Sequence, residues 1–166
     1  MKYVIYVLPF LFFFACQEEE QQKETTVILV RHAEKDTTDK SDNPPLTPFG
    51  RQQAKDFTKI VLDRGLSVDH FYSTRFDRNI HTVQPLADHF NKDIGIYEWK
   101  EWHEAADKMK AQGGTSVFCG HGDNLLPIIK HYNGVPPLEK LGSYENDKLF
   151  FITVKEDTAL VEMIAY

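Results

Sequence analysis

Cysteine is scarce in this chain. Of its 166 residues only Cys16 and Cys119 carry thiols, so one disulfide is the most the chain can form within itself. Each of the two has a separate explanation below. Positive charge is also in short supply: 19 Lys and Arg stand against 25 Asp and Glu, a net charge of −6. A chain without clustered basic residues lacks what a nucleic-acid backbone rewards, which argues against a nucleic-acid partner. It also makes single arginines informative, because an acidic protein that binds an anion must gather its positive charge locally. Long apolar runs are missing too. The run Tyr3–Ala15 has 13 residues, short of the roughly 20 a helix needs to span a bilayer. No internal repeat is visible. What remains is 42% hydrophobic and 27% charged, the balance of a globular protein with room for one ordinary domain.

The amino terminus reads as an address. Lys2 precedes the apolar run, and a small residue closes it, which fits a secretory signal. The run ends Phe13-Phe14-Ala15-Cys16 and turns abruptly polar in Gln17-Glu18-Glu19-Glu20. This resembles the bacterial lipobox, in which cleavage precedes a cysteine that then receives lipid. Phe13 stands where such signals prefer leucine. The resemblance implies a signal peptide at 1–15, a lipidated Cys16, a flexible polar tether over 16–25 and a domain over 26–166. It further implies export and anchorage to the outer membrane, on its periplasmic or surface face.

Regular patterning begins at Thr25. Thr26–Val30 is a short apolar, β-branched run suited to a strand buried on both faces. A long polar loop follows to Pro45, and loops at the ends of buried strands often carry function. Thr47 before Pro48 marks a helix start, with Ala54, Phe57, Ile60 and Val61 on its buried face and Gly65 at its end. Val68–Tyr72 predicts a second strand, and a helix carries Ile80, Val83, Leu86 and Ala87 inward, with Pro85 awkwardly in its middle. Ile94–Trp99 predicts a third strand and Glu101–Gln112 a helix. Thr115–Cys119 is another apolar strand, followed by a helix from Leu125 to Tyr132. Leu149–Val154 and Ala159–Ile164 close the chain as a hairpin turning at Glu156-Asp157. Alternating strands and helices imply an α/β fold, a three-layer α/β/α sandwich with a mostly parallel central sheet.

Three features converge on one edge of such a sheet. Arg31-His32 ends the first strand, Arg78 follows the second, and His121 ends the Cys119 strand. Ligands of open α/β sheets collect beyond the carboxyl ends of strands. Arg75 competes with Arg78 for the second arginine's place. The bland reading of each residue is a solvated or structural side chain, and Cys119 reads as an inert core residue. A metal site of His32, His121 and Asp123 is the minor alternative.

These residues resemble the histidine phosphatase superfamily, which includes the phosphoglycerate mutases and the bacterial phosphohistidine phosphatases. Arg31-His32-Ala33 resembles its Arg-His-Gly signature. Leu46-Thr47-Pro48-Phe49-Gly50-Arg51-Gln52-Gln53-Ala54 matches its Leu-Thr-x-x-Gly-x-x-Gln-Ala pattern. Ser73–Thr82 resembles Ser-Ser-x-x-x-Arg-x-x-Gln-Thr, with Arg78 as the arginine and His81 where glutamine is common. Cys119-Gly120-His121-Gly122 resembles the segment that supplies a second histidine. Four pieces in order, over residues 26–154, make the likeness specific.

The resemblance implies a phosphoglycerate-mutase-like fold and a metal-independent, cofactor-free phosphatase of the histidine acid phosphatase type. In it His32 attacks phosphorus and becomes phosphohistidine, Arg31 and Arg78 hold the phosphoryl oxygens, and His121 donates to another oxygen. An imidazole that is neutral near pH 7 is a competent nucleophile, and phosphoryl transfer asks mainly for positioning and charge stabilisation. The family's proton-donating glutamate has no clear counterpart. Glu98, Glu101 and Glu104 are the candidates, Glu98 first among them, and some relatives manage without one. The mutases' extra segments are absent. The expected partner is a small phosphorylated substrate or a phosphoprotein. The alternatives are a mutase-like phosphotransferase and a phosphate-binding module without turnover.

Overall fold

The computed structural model describes residues 24–156 and 158–166. The segment 1–15 expected to be a signal peptide, Cys16, nearly all of the expected tether and Asp157 lie outside the described residues.

Six strands form one sheet in the order β3-β2-β4-β1-β5-β6. They are β1 (Thr25–Arg31), β2 (His70–Ser73), β3 (Ile94–Ile96), β4 (Gly114–Gly120), β5 (Lys148–Val154) and β6 (Ala159–Ala165). The first four run parallel, and β5 pairs antiparallel with both β1 and β6. The helices α1 (Pro48–Asp63), α2 (Asp77–Phe90), α3 (Trp102–Gln112) and α4 (Leu125–His131) complete three layers.

The alternation of β1 separates the layers. Ile28 and Val30 pack with Phe57 and Val61 of α1 and Val83, Leu86 and Ala87 of α2. Val27 and Leu29 face the other way, onto Ala105, Ala106 and Met109 of α3 and Leu125, Ile128 and Ile129 of α4. All four strand residues are wholly buried, as a strand covered on both faces requires. Thr47 caps α1 by accepting from the Gly50 N–H. Gly50 is needed for a second reason: a Cβ there would lie 2.1 Å from the Glu34 carbonyl oxygen. Only glycine lets the first turn of α1 press against the loop after β1.

The expected elements are present, with shifted ends. The third strand stops at Ile96, and Trp99 begins a 3₁₀ turn, Trp99–Glu101, that leads into α3. The second strand begins at His70 rather than Val68. Pro85 lies inside α2; burial of Val83, Leu86 and Ala87 outweighs the hydrogen bond that proline removes. Pro127 sits in the first turn of α4, where its missing N–H has no helical partner to lose.

Candidate active site

Strands β1, β4 and β2 lie side by side and point the same way, so the residues just past their carboxyl ends come together. Arg31 is in register with Gly120, and Ser73 with Cys119. His32 continues the ladder by donating its N–H to the Gly120 carbonyl at 3.1 Å. One residue beyond each end stand His32, His121 and Thr74. The two imidazole centroids are 5.4 Å apart at 65°. The Thr74 hydroxyl lies 3.2 Å from His121 Nε2, and all three residues are buried.

Chemistry decides the protonation of His32. Its Nδ1 lies 2.9 Å from the Ala33 carbonyl oxygen. A carbonyl only accepts, so Nδ1 carries the proton and Nε2 keeps its lone pair. Burial first, then the neighbouring His121, Arg78 and Arg31, pulls the His32 pKa down to about 3, against the pull of the Ala33 hydrogen bond. His121 falls to about 4 through burial and the nearby Arg78 and Arg31, with Asp123 opposing. Both rings are therefore neutral across the physiological range.

The two arginines approach differently. Arg78 follows β2 from the first turn of α2 and is 8% exposed, its guanidinium 4.2 Å above the Phe76 ring. Arg31 is clipped to the loop before β5. Its Nη1 donates to the Gly142 carbonyl at 2.7 Å and the Glu145 carbonyl at 3.3 Å, and its Nη2 to the Ser143 carbonyl at 2.9 Å. The Glu145 carboxylate closes that loop by accepting from the Gly142 N–H at 2.7 Å. Of the donors on these two arginines, three are buried without an acceptor among the described residues: Arg31 Nε, Arg78 Nε and Arg78 Nη1. Burial lowers both guanidinium pKa values. Desolvated donors left unpaired are expensive, and an oxyanion satisfies them. Arg75, the competing arginine, is exposed.

Several residues to which the sequence reading gave no role hold this arrangement. The Thr82 hydroxyl accepts from the Ala33 N–H at 2.8 Å and donates to the Arg78 carbonyl at 2.6 Å, joining the loop that carries His32 to the helix that carries Arg78. Asn79 donates to the Gly120 carbonyl at 3.0 Å. The Asn124 side chain accepts the His121 N–H at 2.9 Å. A Cβ on Gly120 would stand 2.4 Å from the Asn124 oxygen, and one on Gly122 would stand 3.2 Å from the Arg31 guanidinium carbon. Thr74 and Thr82 lie within the segment already quoted for Arg78; hydroxyls beside a motif arginine were the available signal.

A cavity of about 260 Å³ opens beside Thr74, bounded by Phe76, Tyr97 and Trp99, with Glu98 and Glu101 on its wall. Glu104 does not line it. Trp99 donates its indole N–H to Asp123 at 3.2 Å. Cys119 is free and wholly buried, its thiol pKa raised by burial, in keeping with a core role. Among the described residues no group of three His, Cys, Asp or Glu side chains is arranged to hold a metal ion, and no helix is long and apolar enough to cross a membrane.

Residues 27–109 match the family model described as the histidine phosphatase superfamily (branch 1). A 2,3-bisphosphoglycerate-dependent phosphoglycerate mutase of Thermoplasma acidophilum is 37% identical over 72 residues, 40% of this chain and 35% of the mutase. The match thus spans about a third of that relative's length. Among solved structures, the protein histidine phosphatase SixA complexed with tungstate superposes with a TM-score of 0.66 at 13% identity, covering 84% of this chain and 96% of that one. The alpha-ribazole phosphatase of Shigella flexneri gives a TM-score of 0.67 at 14% identity, covering 85% and 96%. These two likenesses concern the fold.

Proposed function

The chain belongs to the histidine phosphatase superfamily, branch 1, and from that premise we propose that it is a metal-independent phosphatase working through a phosphohistidine on His32. One observation carries the reading. A neutral imidazole, its tautomer set by the Ala33 carbonyl, sits near two arginines that together hold three buried, unpaired N–H donors.

In the first step Nε2 of His32 forms the N–P bond as the ester P–O bond breaks. Charge on the phosphoryl oxygens is met by Arg78, by Arg31 through Nε and by His121. The leaving oxygen takes its proton from the protonated carboxyl of Glu98 or Glu101 on the adjoining cavity wall, which recovers a proton from the water that attacks in the second step. Water then attacks phosphorus, the N–P bond breaks, and phosphate leaves with His32 restored. The fixed positive donors supply the charge stabilisation that a bound cation provides elsewhere.

The likeness to the mutase favours a second reading, transfer of the phosphoryl group back to an organic hydroxyl. The likeness of the fold to two phosphatases supports water as the acceptor. Lipidation at Cys16 and an outer-membrane location belong to the proposal on the strength of the lipobox-like segment. They favour phosphate esters outside the cytoplasm as substrates.

The test is hydrolysis of an aryl phosphate by the purified protein with chelator present, for wild type and His32→Ala. Turnover that vanishes in the variant supports the proposal. Activity surviving in His32→Ala sinks it. Phosphate binding without turnover in wild type indicates the binding module, and transfer to an added alcohol in preference to water indicates the phosphotransferase.

A further inference from the structure

Two of the large aromatic side chains outside both hydrophobic cores stand beside the candidate active site. Phe76 and Trp99 belong to neither packed cluster; Trp99 is 41% exposed and Phe76 is half-buried. Single exposed aromatic residues are ordinary, whereas apolar rings gathered in one concave place mark a binding site. Both rings converge on one group: the Phe76 centroid lies 5.7 Å from that of His121, at 90°, and the Trp99 centroid 5.5 Å away. They are the apolar walls of the cavity beside Thr74, whose volume is about 260 Å³.

Their orientations are held in place. The Trp99 indole N–H is satisfied by Asp123, so its one polar atom is already spoken for and what the ring offers a ligand is apolar surface. Phe76 is backed by the Arg78 guanidinium. Tyr97, buried, forms part of the same lining and donates its hydroxyl to the Cys119 carbonyl at 3.1 Å. A cleft made of restrained rings loses little entropy on binding. Its volume falls just below the range typical of drug-sized ligands, so it suits one or two rings. The charged residues of the lining cancel, Arg75 and Lys100 against Glu98 and Glu101, which leaves aromatic contact as the discriminating interaction.

We infer that the cleft between Phe76 and Trp99 is the leaving-group subsite, and that it selects small phosphate esters whose leaving group is a planar ring. The inference rests on the phosphoryl site proposed above and adds the substrate class.

Non-hydrolysable phosphonates separate the two. Calorimetry would measure benzylphosphonate, methylphosphonate and phosphonoacetate against wild type, Trp99→Ala and Trp99→Phe. Wild type is expected to bind benzylphosphonate about tenfold more tightly than methylphosphonate, the factor that one stacking contact supplies. Phosphonoacetate should gain nothing over methylphosphonate. Trp99→Ala should bring the benzyl-to-methyl ratio to about 1, and Trp99→Phe, which keeps a ring, should retain most of it. A wild-type ratio near 1, or a ratio in Trp99→Ala equal to wild type, overturns the inference. Discrimination by a protein that hydrolyses no ester keeps the subsite and removes the phosphatase reading. Turnover without discrimination does the reverse.

Discussion

Acidification should destabilise this protein through His32. Free histidine titrates near 6.5, whereas His32 in the fold is held down to about 3. Between those values the unfolded chain takes up a proton that the folded site refuses, so stability falls as pH drops from about 6.5 and stops falling below about 3. At pH 4.5 the loss from His32 comes to roughly 3 kcal/mol relative to neutral pH. For a chain of this size 1 kcal/mol moves the melting temperature by about 2–4 °C, so the deficit is about 6–12 °C. His32→Asn provides the comparison, because its side-chain amide can still donate to the Ala33 carbonyl but does not titrate. Melting curves from pH 8 to 4 should show wild type losing this much more than the variant. Ring resonances followed by NMR should show His32 still neutral at pH 5. Parallel acid destabilisation of the two proteins, or a His32 resonance titrating near 6.5, would refute the reasoning that burial and the arginines hold the ring neutral.

The two arginines of the Ser73–Arg78 segment should separate cleanly. Arg78→Ala removes two of the three buried unpaired donors and should lower kcat/KM for an aryl phosphate by about 10²–10³, while Arg75→Ala, at an exposed position, should change it severalfold at most; equal effects would move the phosphoryl site. Lipidation at Cys16 predicts that the full chain, expressed in a Gram-negative host with a labelled fatty acid, incorporates label and sediments with membranes, and that Cys16→Ala does neither; an unlabelled wild-type protein would remove the anchor from the proposal.

Much of the fold was legible because its signals are local. The buried run of β1, the Thr47-Pro48 start of α1 and the spacing of Val83, Leu86 and Ala87 each depend on neighbours in sequence. The positions of Arg31, His32, Arg78 and His121 were legible for a related reason: each lies at or beyond the carboxyl end of a strand, and parallel strands bring those ends together. Illegible were contacts that join distant segments. No pattern within Arg31-His32-Ala33 announces that the arginine's terminal nitrogens will meet carbonyls at 142–145. The run Ile94–Trp99 looks uniformly strand-like, yet β3 ends at Ile96 and Trp99 turns toward Asp123. That choice is made by tertiary contacts, which short apolar runs do not encode.

The clip on Arg31 has a consequence for how freely this sequence can drift. Its acceptors are the carbonyls of Gly142, Ser143 and Glu145, and every residue type offers the same carbonyl. What the arginine reads is the path of the chain, not its lettering. Ser143 and its neighbour Tyr144, 86% exposed, can therefore be exchanged widely at little cost to the catalytic centre, whereas inserting or deleting a single residue there displaces all three acceptors together. In this loop length matters more than composition, apart from Glu145, whose carboxylate closes it.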